Sequence, residues 1–226
     1  MAQLFNPILG NPSGKLGNMV FRVRKGASFI AGRPSKRTSP LKEAETAYRA
    51  KFALVQKIAR GINSIGSLKE VWPSATGRGS KCNEIFQVNY KIIDTAANLA
   101  SVLVAPIFGF NAPNAVLTAG ATGIHLVTDA LGVGLGVDTS VEKYILTAGI
   151  VVLSNPIMEN ITANQVISFQ SIRHNLDLIN GIDHTADFAG GTLEMYNGYT
   201  TKKVFACLVT LNDSGKAIRY STTFNS

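Results

Sequence analysis

At 226 residues, 46% of them apolar, with a mean hydropathy of +0.15, the chain can bury a substantial core and is too apolar to be disordered. Charged residues make up only 16%, against roughly 25% in ordinary soluble domains, which fits a Gly- and Thr-rich β protein or a surface covered by partners. The net charge of +8 belongs to one quarter: residues 1–60 hold twelve of the 22 Lys and Arg against Glu43 and Glu45, and the remainder is slightly acidic. Such asymmetry points to a polyanion or an acidic protein surface as partner, with a solvated basic face as the plainer reading.

Residues 1–13 (MAQLFNPILGNPS) read as an arm rich in Pro, Gly and Asn, with apolar points at Leu4, Phe5, Ile8 and Leu9. So short an arm cannot bury those side chains alone, so it must dock on its own chain or on a neighbour. The start has no charged segment followed by an apolar run, so no secretory leader is expected. From Leu16 to Ala31, Met19, Phe21 and Val23 alternate with Val20, Arg22 and Arg24, which predicts two short strands with one apolar and one mainly basic face. Lys25-Gly26 supplies the turn, Gly32-Arg33-Pro34 ends the return strand, and 35–39 is a basic linker.

Ser39-Pro40 has the cap and first-position residues of a helix. Leu41, Ala44, Tyr48, Phe52, Val55, Ala59 and Ile62 follow at spacings of three and four, one apolar stripe, with Lys42, Arg49, Lys51, Lys57 and Arg60 off it. A second helix is expected from about Cys82 to Asn98, capped by Ser80, with Ile85, Phe86, Asn89, Tyr90, Ile93 and Ala97 inward. Trp72-Pro73 and Gly77-Arg78-Gly79 lie in the loop between them.

Beyond residue 100 the helical period gives way to short Val, Ile, Leu and Thr runs: Ser101–Phe108, Ala115–Leu117, Gly123–Thr128, Tyr144–Leu153, Gln165–Phe169, Thr192–Tyr196 and Val204–Leu211. Asn212-Asp213-Ser214-Gly215 turns the last of these into a closing hairpin with 217–224. Residues 170–190, the least regular part, read as a loop with room for one helical turn. The expected fold class is α+β. A docking arm (1–13) precedes a basic hairpin and two-helix module (14–100), then an antiparallel all-β module of sandwich or barrel type (101–226).

Gly14-Lys15-Leu16-Gly17-Asn18-Met19-Val20-Phe21, Arg24-Lys25-Gly26 and Arg33-Pro34 together resemble the opening of a DUF6266-like family of uncharacterised, Bacteroidota and phage-associated proteins. Tyr48–Ala53, Asn83–Tyr90 and the closing Tyr220–Phe224 are similar to later segments of that family. The resemblance covers roughly 1–95 and, more weakly, 200–226, while the Ala- and Gly-rich centre departs from it. It carries no established activity. It implies a phage or mobile-element setting.

Gly132-Val133-Gly134-Leu135-Gly136 lacks the Lys-Ser/Thr of a phosphate loop and reads as a Gly-rich strand or a tight loop. His174 with Asp177, and Asp183-His184 with Asp187, can be drawn as a metal or acid–base cluster, but the spacing matches no metal motif and local hydrogen bonding is the simpler account. Cys82 and Cys207 are two lone thiols, the second inside an apolar run where it should behave as a small core residue. No catalytic, cofactor or metal site is expected, nor a membrane-spanning segment. The residues expected to meet a partner are Arg22, Arg24, Lys25, Arg33, Lys36 and Arg37, with Leu4, Phe5, Ile8 and Leu9 as a subunit-docking arm. The expectation is a non-enzymatic structural protein of a larger assembly, a tailed-phage virion component built in the host cytoplasm. The alternative is a nucleic-acid-binding protein using the same cations.

Overall fold

The computed structural model describes residues 2–4, 14–24, 26–33, 42–73, 80–94, 99, 101–159 and 162–226. They belong to two compact units, 1–42 and 43–226, in an α+β fold whose named strands all pair antiparallel. The expected division at 100/101 is not where the chain divides. The helices share a core with the large sheet, and only the N-terminal hairpin region stands as a separate unit.

The first unit is a four-stranded sheet of β1 (Ala2–Leu4), β2 (Gly14–Leu16), β3 (Met19–Arg24) and β4 (Ala27–Gly32), in the order β1-β4-β3-β2. Two-residue connections join β2 to β3 and β3 to β4. Gly17 (φ +53°) and Gly26 (φ +76°) adopt there a backbone that L side chains resist. The sequence predicts two of these strands. β2 is a third, and Ala2–Leu4 of the arm forms a fourth by pairing with β4 of its own chain, Gln3 opposite Phe29. Phe5, Ile8, Leu9, Lys25, Lys36, Arg37 and the expected cap Ser39-Pro40 lie outside the described residues.

The second unit runs α1 (Glu43–Ser64), α2 (Gly66–Val71), α3 (Lys81–Ile92), β5 (Val116–Ala119), β6 (Gly123–Thr128), β7 (Tyr144–Pro156), β8 (Asn164–Gln170), β9 (His174–Asn175), β10 (Ile182–Asp187), α4 (Gly190–Asn197), β11 (Tyr199–Leu211), β12 (Ala217–Tyr220) and β13 (Phe224–Asn225). Its axis is the antiparallel pair of 13-residue strands β7 and β11, in register from Tyr144 opposite Leu211 to Pro156 opposite Tyr199. Alternate residues serve two cores. Leu146, Ala148, Ile150, Val152, Phe205, Cys207 and Val209 face Leu54, Ile58, Ile62, Leu68 and Ile85 of the helices. Ile145, Val151, Leu153, Val204, Ala206 and Leu208 face the three-stranded sheet β10-β6-β5 and α4. Each of the Val, Leu, Ile and Phe side chains among these contributes about 1.5–3 kcal/mol, against about 1 kcal/mol for a helix cap, so the strand pair dominates the unit's stability. Among the described strands neither sheet of this unit closes into a barrel.

Several local expectations fail for identifiable reasons. The run 101–108 is not a strand: its backbone is satisfied by side chains instead of a ladder. Leu103 N–H donates to Asn89 Oδ1 (2.9 Å), Asn89 Nδ2 donates to Leu103 O (3.0 Å), Trp72 Nε1 donates to Val104 O (2.9 Å) and Val104 N–H donates to Thr223 Oγ1 (3.0 Å). Thr192–Tyr196 is helical, inside α4. Over five residues its alternation also fits an i, i+3 pair, and Leu193 and Tyr196 both pack on the second core. Residues 170–190 contain β9 and β10, where Ile182, His184 and Ala186 alternate inward with exposed Asp183, Thr185 and Asp187. α2 was not foreseen, and α3 stops at Ile92, with Ile93 already extended.

Gly149 of β7 stands opposite Ala206 of β11, with the neighbouring backbone close against it. A Cβ there would stand 2.2 Å from Phe205 O and 2.7 Å from Ala206 Cα, both backbone atoms that cannot yield locally. Gly149→Ala should therefore lower stability by about 2–3 kcal/mol or more, read as a shifted midpoint in urea unfolding. An unchanged midpoint would show that the strand pair is looser than described.

Candidate interaction surface

The N-terminal sheet has two unlike faces, fixed by register. Directly opposed residues share a face, so Leu16, Met19, Phe21, Val23, Ser28 and Ile30 lie together on one side. The other side carries Lys15, Val20, Arg22, Phe29 and Ala31, with Arg24 opposite Ala27. Alternation alone places Met19, Phe21 and Val23 inward. They are on one face that is only partly covered: Leu16 is 65%, Met19 43% and Val23 44% exposed, whereas Phe21 and Ile30 are half-buried and Ser28 is buried. Nor do Phe21 and Phe29 share a core, because Phe29 stands opposite Arg22 on the basic side. Arg22 and Arg33 are both exposed, and Arg33 N–H closes the hairpin by donating to Asn18 O (2.6 Å). Of the arm's apolar points, Leu4 is placed by its backbone pairing with Ser28.

Exposed apolar side chains of the second unit are scattered, with Phe108 and Ile179 the most open, and two of them lie at the start of α1. The expected stripe is buried only from Val55 onward, whereas Tyr48 (56%) and Phe52 (50%) face solvent and Ala44 is exposed. Phe52 meets Phe86 edge-on at 5.0 Å, Phe86 stacks on Tyr90 at 5.4 Å, and Lys51 Nζ lies 4.2 Å over the Tyr90 ring. An open hollow of about 300 Å³ between α1 and α3 is lined by Phe52, Gln56, Arg60, Cys82, Asn83 and Phe86. Ser80 caps α3 as expected, accepting from Asn83 N–H at 3.3 Å.

The histidine and aspartate groups separate into three places. His174 and His184 stack at 4.1 Å between ring centres, and His184 Nδ1 shares a 2.9 Å hydrogen bond with Thr147 Oγ1. Asp183 points to the opposite side of β10 and pairs with His125 at 2.7 Å. Asp177 serves its own loop: hydrogen bonds from the Asn180 side chain and the Ile179 and Asn180 amides hold its carboxyl below its usual range. Among the described residues no three His, Cys, Asp or Glu gather as a metal cluster would require, and no helix is long and apolar enough to cross a membrane. Cys207 is fully buried, as its apolar run implied, and burial pushes its thiol far up.

One polar constellation escaped the sequence reading. Glu142 is buried and accepts from Thr210 Oγ1, Arg219 Nε (3.1 Å) and Asp138 N–H (3.1 Å). Arg219 also reaches Leu135 O (3.3 Å), so the Gly132–Gly136 loop is pinned to β11 and β12. Residues 68 and 77 positions apart carry no local signal for such a contact. Comparison with known protein-family models and with curated proteins gives no match.

Burial, then the neighbouring His174, brings the His184 pKa down to about 4 from 6.5, with Asp183 opposing. The sign follows directly. Below pH 6.5 the unfolded chain takes up a proton that folded His184 refuses until about pH 4, so stability is lost across that window. His184→Gln should flatten the pH dependence by on the order of 2 kcal/mol between pH 7 and 4.5, measured by urea unfolding. Identical slopes for the two proteins would contradict the assignment.

Proposed function

We propose that the chain is a non-enzymatic structural component of a larger assembly, a tailed-bacteriophage virion protein of the capsid, connector or tail. Its N-terminal unit makes the subunit contacts, and it resides in the particle after assembly in the host cytoplasm. One observation carries the reading: Leu16, Met19 and Val23 are exposed together on one face of a small sheet. A soluble monomer gains nothing from such a face, whereas a neighbouring subunit can bury it. The resemblance of 14–34 to a phage-associated family supports the phage setting. The basic face, with Arg22 and Arg33, then meets acidic groups of the neighbour.

A second reading has its own observation. Phe29 and Arg22 stand directly opposite each other on the basic side, an aromatic beside a cation as single-stranded nucleic acid would use. Salt separates the two: phosphate binding falls steeply with ionic strength, and burial of an apolar face does not.

Deleting residues 1–34 should leave a folded, monodisperse second unit that no longer enters the assembly, read by circular dichroism and by native mass against the full chain. Normal assembly by the truncated chain would refute the proposal.

A further inference from the structure

The large sheet ends in two edges, β12 and β8. The β12 edge is covered in part by the chain itself, since Phe110 N–H donates to Tyr220 O (2.9 Å) and Thr222 N–H to Phe110 O (2.8 Å). β8 is longer, seven residues, and among the described strands pairs only with β7. Which of its backbone groups face outward follows from the ladder. Ser171 N–H donates to Thr147 O at 2.8 Å, so this opposed pair is of the hydrogen-bonded kind. Counting back along the register, Gln165, Ile167 and Phe169 bond to β7, and Asn164, Val166, Ser168 and Gln170 turn their N–H and C=O groups away from it. The close approach of Gly149 to Ala206 on the other side of β7 has the spacing that this phase requires. Only one of these outward groups has a partner among the described residues: Asn164 O accepts from Lys57 Nζ at 2.6 Å. The edge is reachable at both ends. A hollow of about 200 Å³ beside Asn164 is lined by Ala53, Leu54 and Lys57, and one of about 260 Å³ beside Gln170 is lined by Phe169, Asp187 and Phe188.

Natural edges are usually blunted by charge, proline or a bulge. β10, the six-residue edge of the small sheet, follows that rule with exposed Asp183 and Asp187. β8 reads Asn-Gln-Val-Ile-Ser-Phe-Gln, with no charge, no proline and an uninterrupted register.

We propose that the outer edge of β8 pairs antiparallel with β8 of a second copy of this chain, about a two-fold axis at Ile167. The strand is self-complementary in that alignment. Asn164 opposes Gln170, Gln165 opposes Phe169 and Val166 opposes Ser168, so no like charges meet within it. The four outward residues of each copy face one another in the hydrogen-bonding phase, giving about eight new N–H···O bonds and one sheet continuous through both copies. The alignment also brings each Gln170 to the copy's Asn164, where Lys57 Nζ sits.

This contact does not depend on the N-terminal face, and the test keeps them apart. Full-length chain carrying Leu16→Asp and Met19→Asp, with its N-terminal apolar face disabled, should still sediment as a dimer whose Val166, Ser168 and Gln170 amides gain protection from hydrogen exchange as concentration rises. In that background Gln170→Lys places like charges at Lys57 of the copy and should weaken the dimer about tenfold or more, while Gln170→Glu should hold or tighten it. Gln170 is exposed, so neither change threatens the fold. A monomer at every attainable concentration, or equal effects of the two substitutions, would overturn the proposal. Failure of the N-terminal reading would appear instead as an unchanged assembly in the doubly substituted chain.

Discussion

The pairing of β7 with β11 along their whole lengths is the interaction on which the second unit depends. Most antiparallel sheets give one face to water, which allows polar residues at every second position. Here both faces are covered, so Ile145 to Leu153 and Val204 to Leu211 are buried almost without interruption, and only small or hydroxyl residues break the run. Gly149 leaves room for the backbone of β11 beside it, while Thr147 and Thr210 place hydroxyls where His184 and Glu142 need partners. The helices, the small sheet and the pinned glycine loop each attach to that pair by one face. Gly61 shows how closely α1 lies on this sheet: a Cβ there would stand 3.4 Å from Ile150 Cγ2 of β7 and 3.0 Å from Val166 Cγ1 of the adjoining β8, whose Ser168 Oγ donates to Gly61 O at 2.9 Å.

The N-terminal unit is built on the opposite principle. Its strands are short, its turns are set by glycine, and three of its large apolar side chains face solvent. A sheet of this size gains little from its own packing. What it offers is a surface of fixed chemistry: one apolar face and one basic face, with backbone pairing to hold them apart. The two units thus differ in kind: one is held by a large buried core, and the other presents exposed apolar and basic side chains.

How much of this could be read from the sequence depends on how far each signal reaches. Gly123–Thr128, Tyr144–Leu153 and Val204–Leu211 announced themselves because a long apolar run between turn residues has few alternatives. Ser80 as a cap was equally local. Thr192–Tyr196 failed because five residues satisfy a period of two and a period near four alike. The segment 101–108 failed because its order comes from Asn89, Trp72 and Thr223, at distances the local pattern does not contain. For the candidate surface, alternation assigned Met19, Phe21 and Val23 to one face correctly and their burial wrongly. Period two gives the side of a sheet, not what covers it. The Glu142–Arg219–Thr210 contact, and the outward phase of β8, exist only once the register is known.

The contrast between a tightly packed pair of long strands and a small, open N-terminal sheet is tested most directly by amide hydrogen exchange on the full chain, resolved by residue. The slowest amides should lie in β7 and β11 and exchange only through global unfolding, while those of 14–33 exchange faster by orders of magnitude in the unassembled protein. Equal protection in the two units would contradict the account.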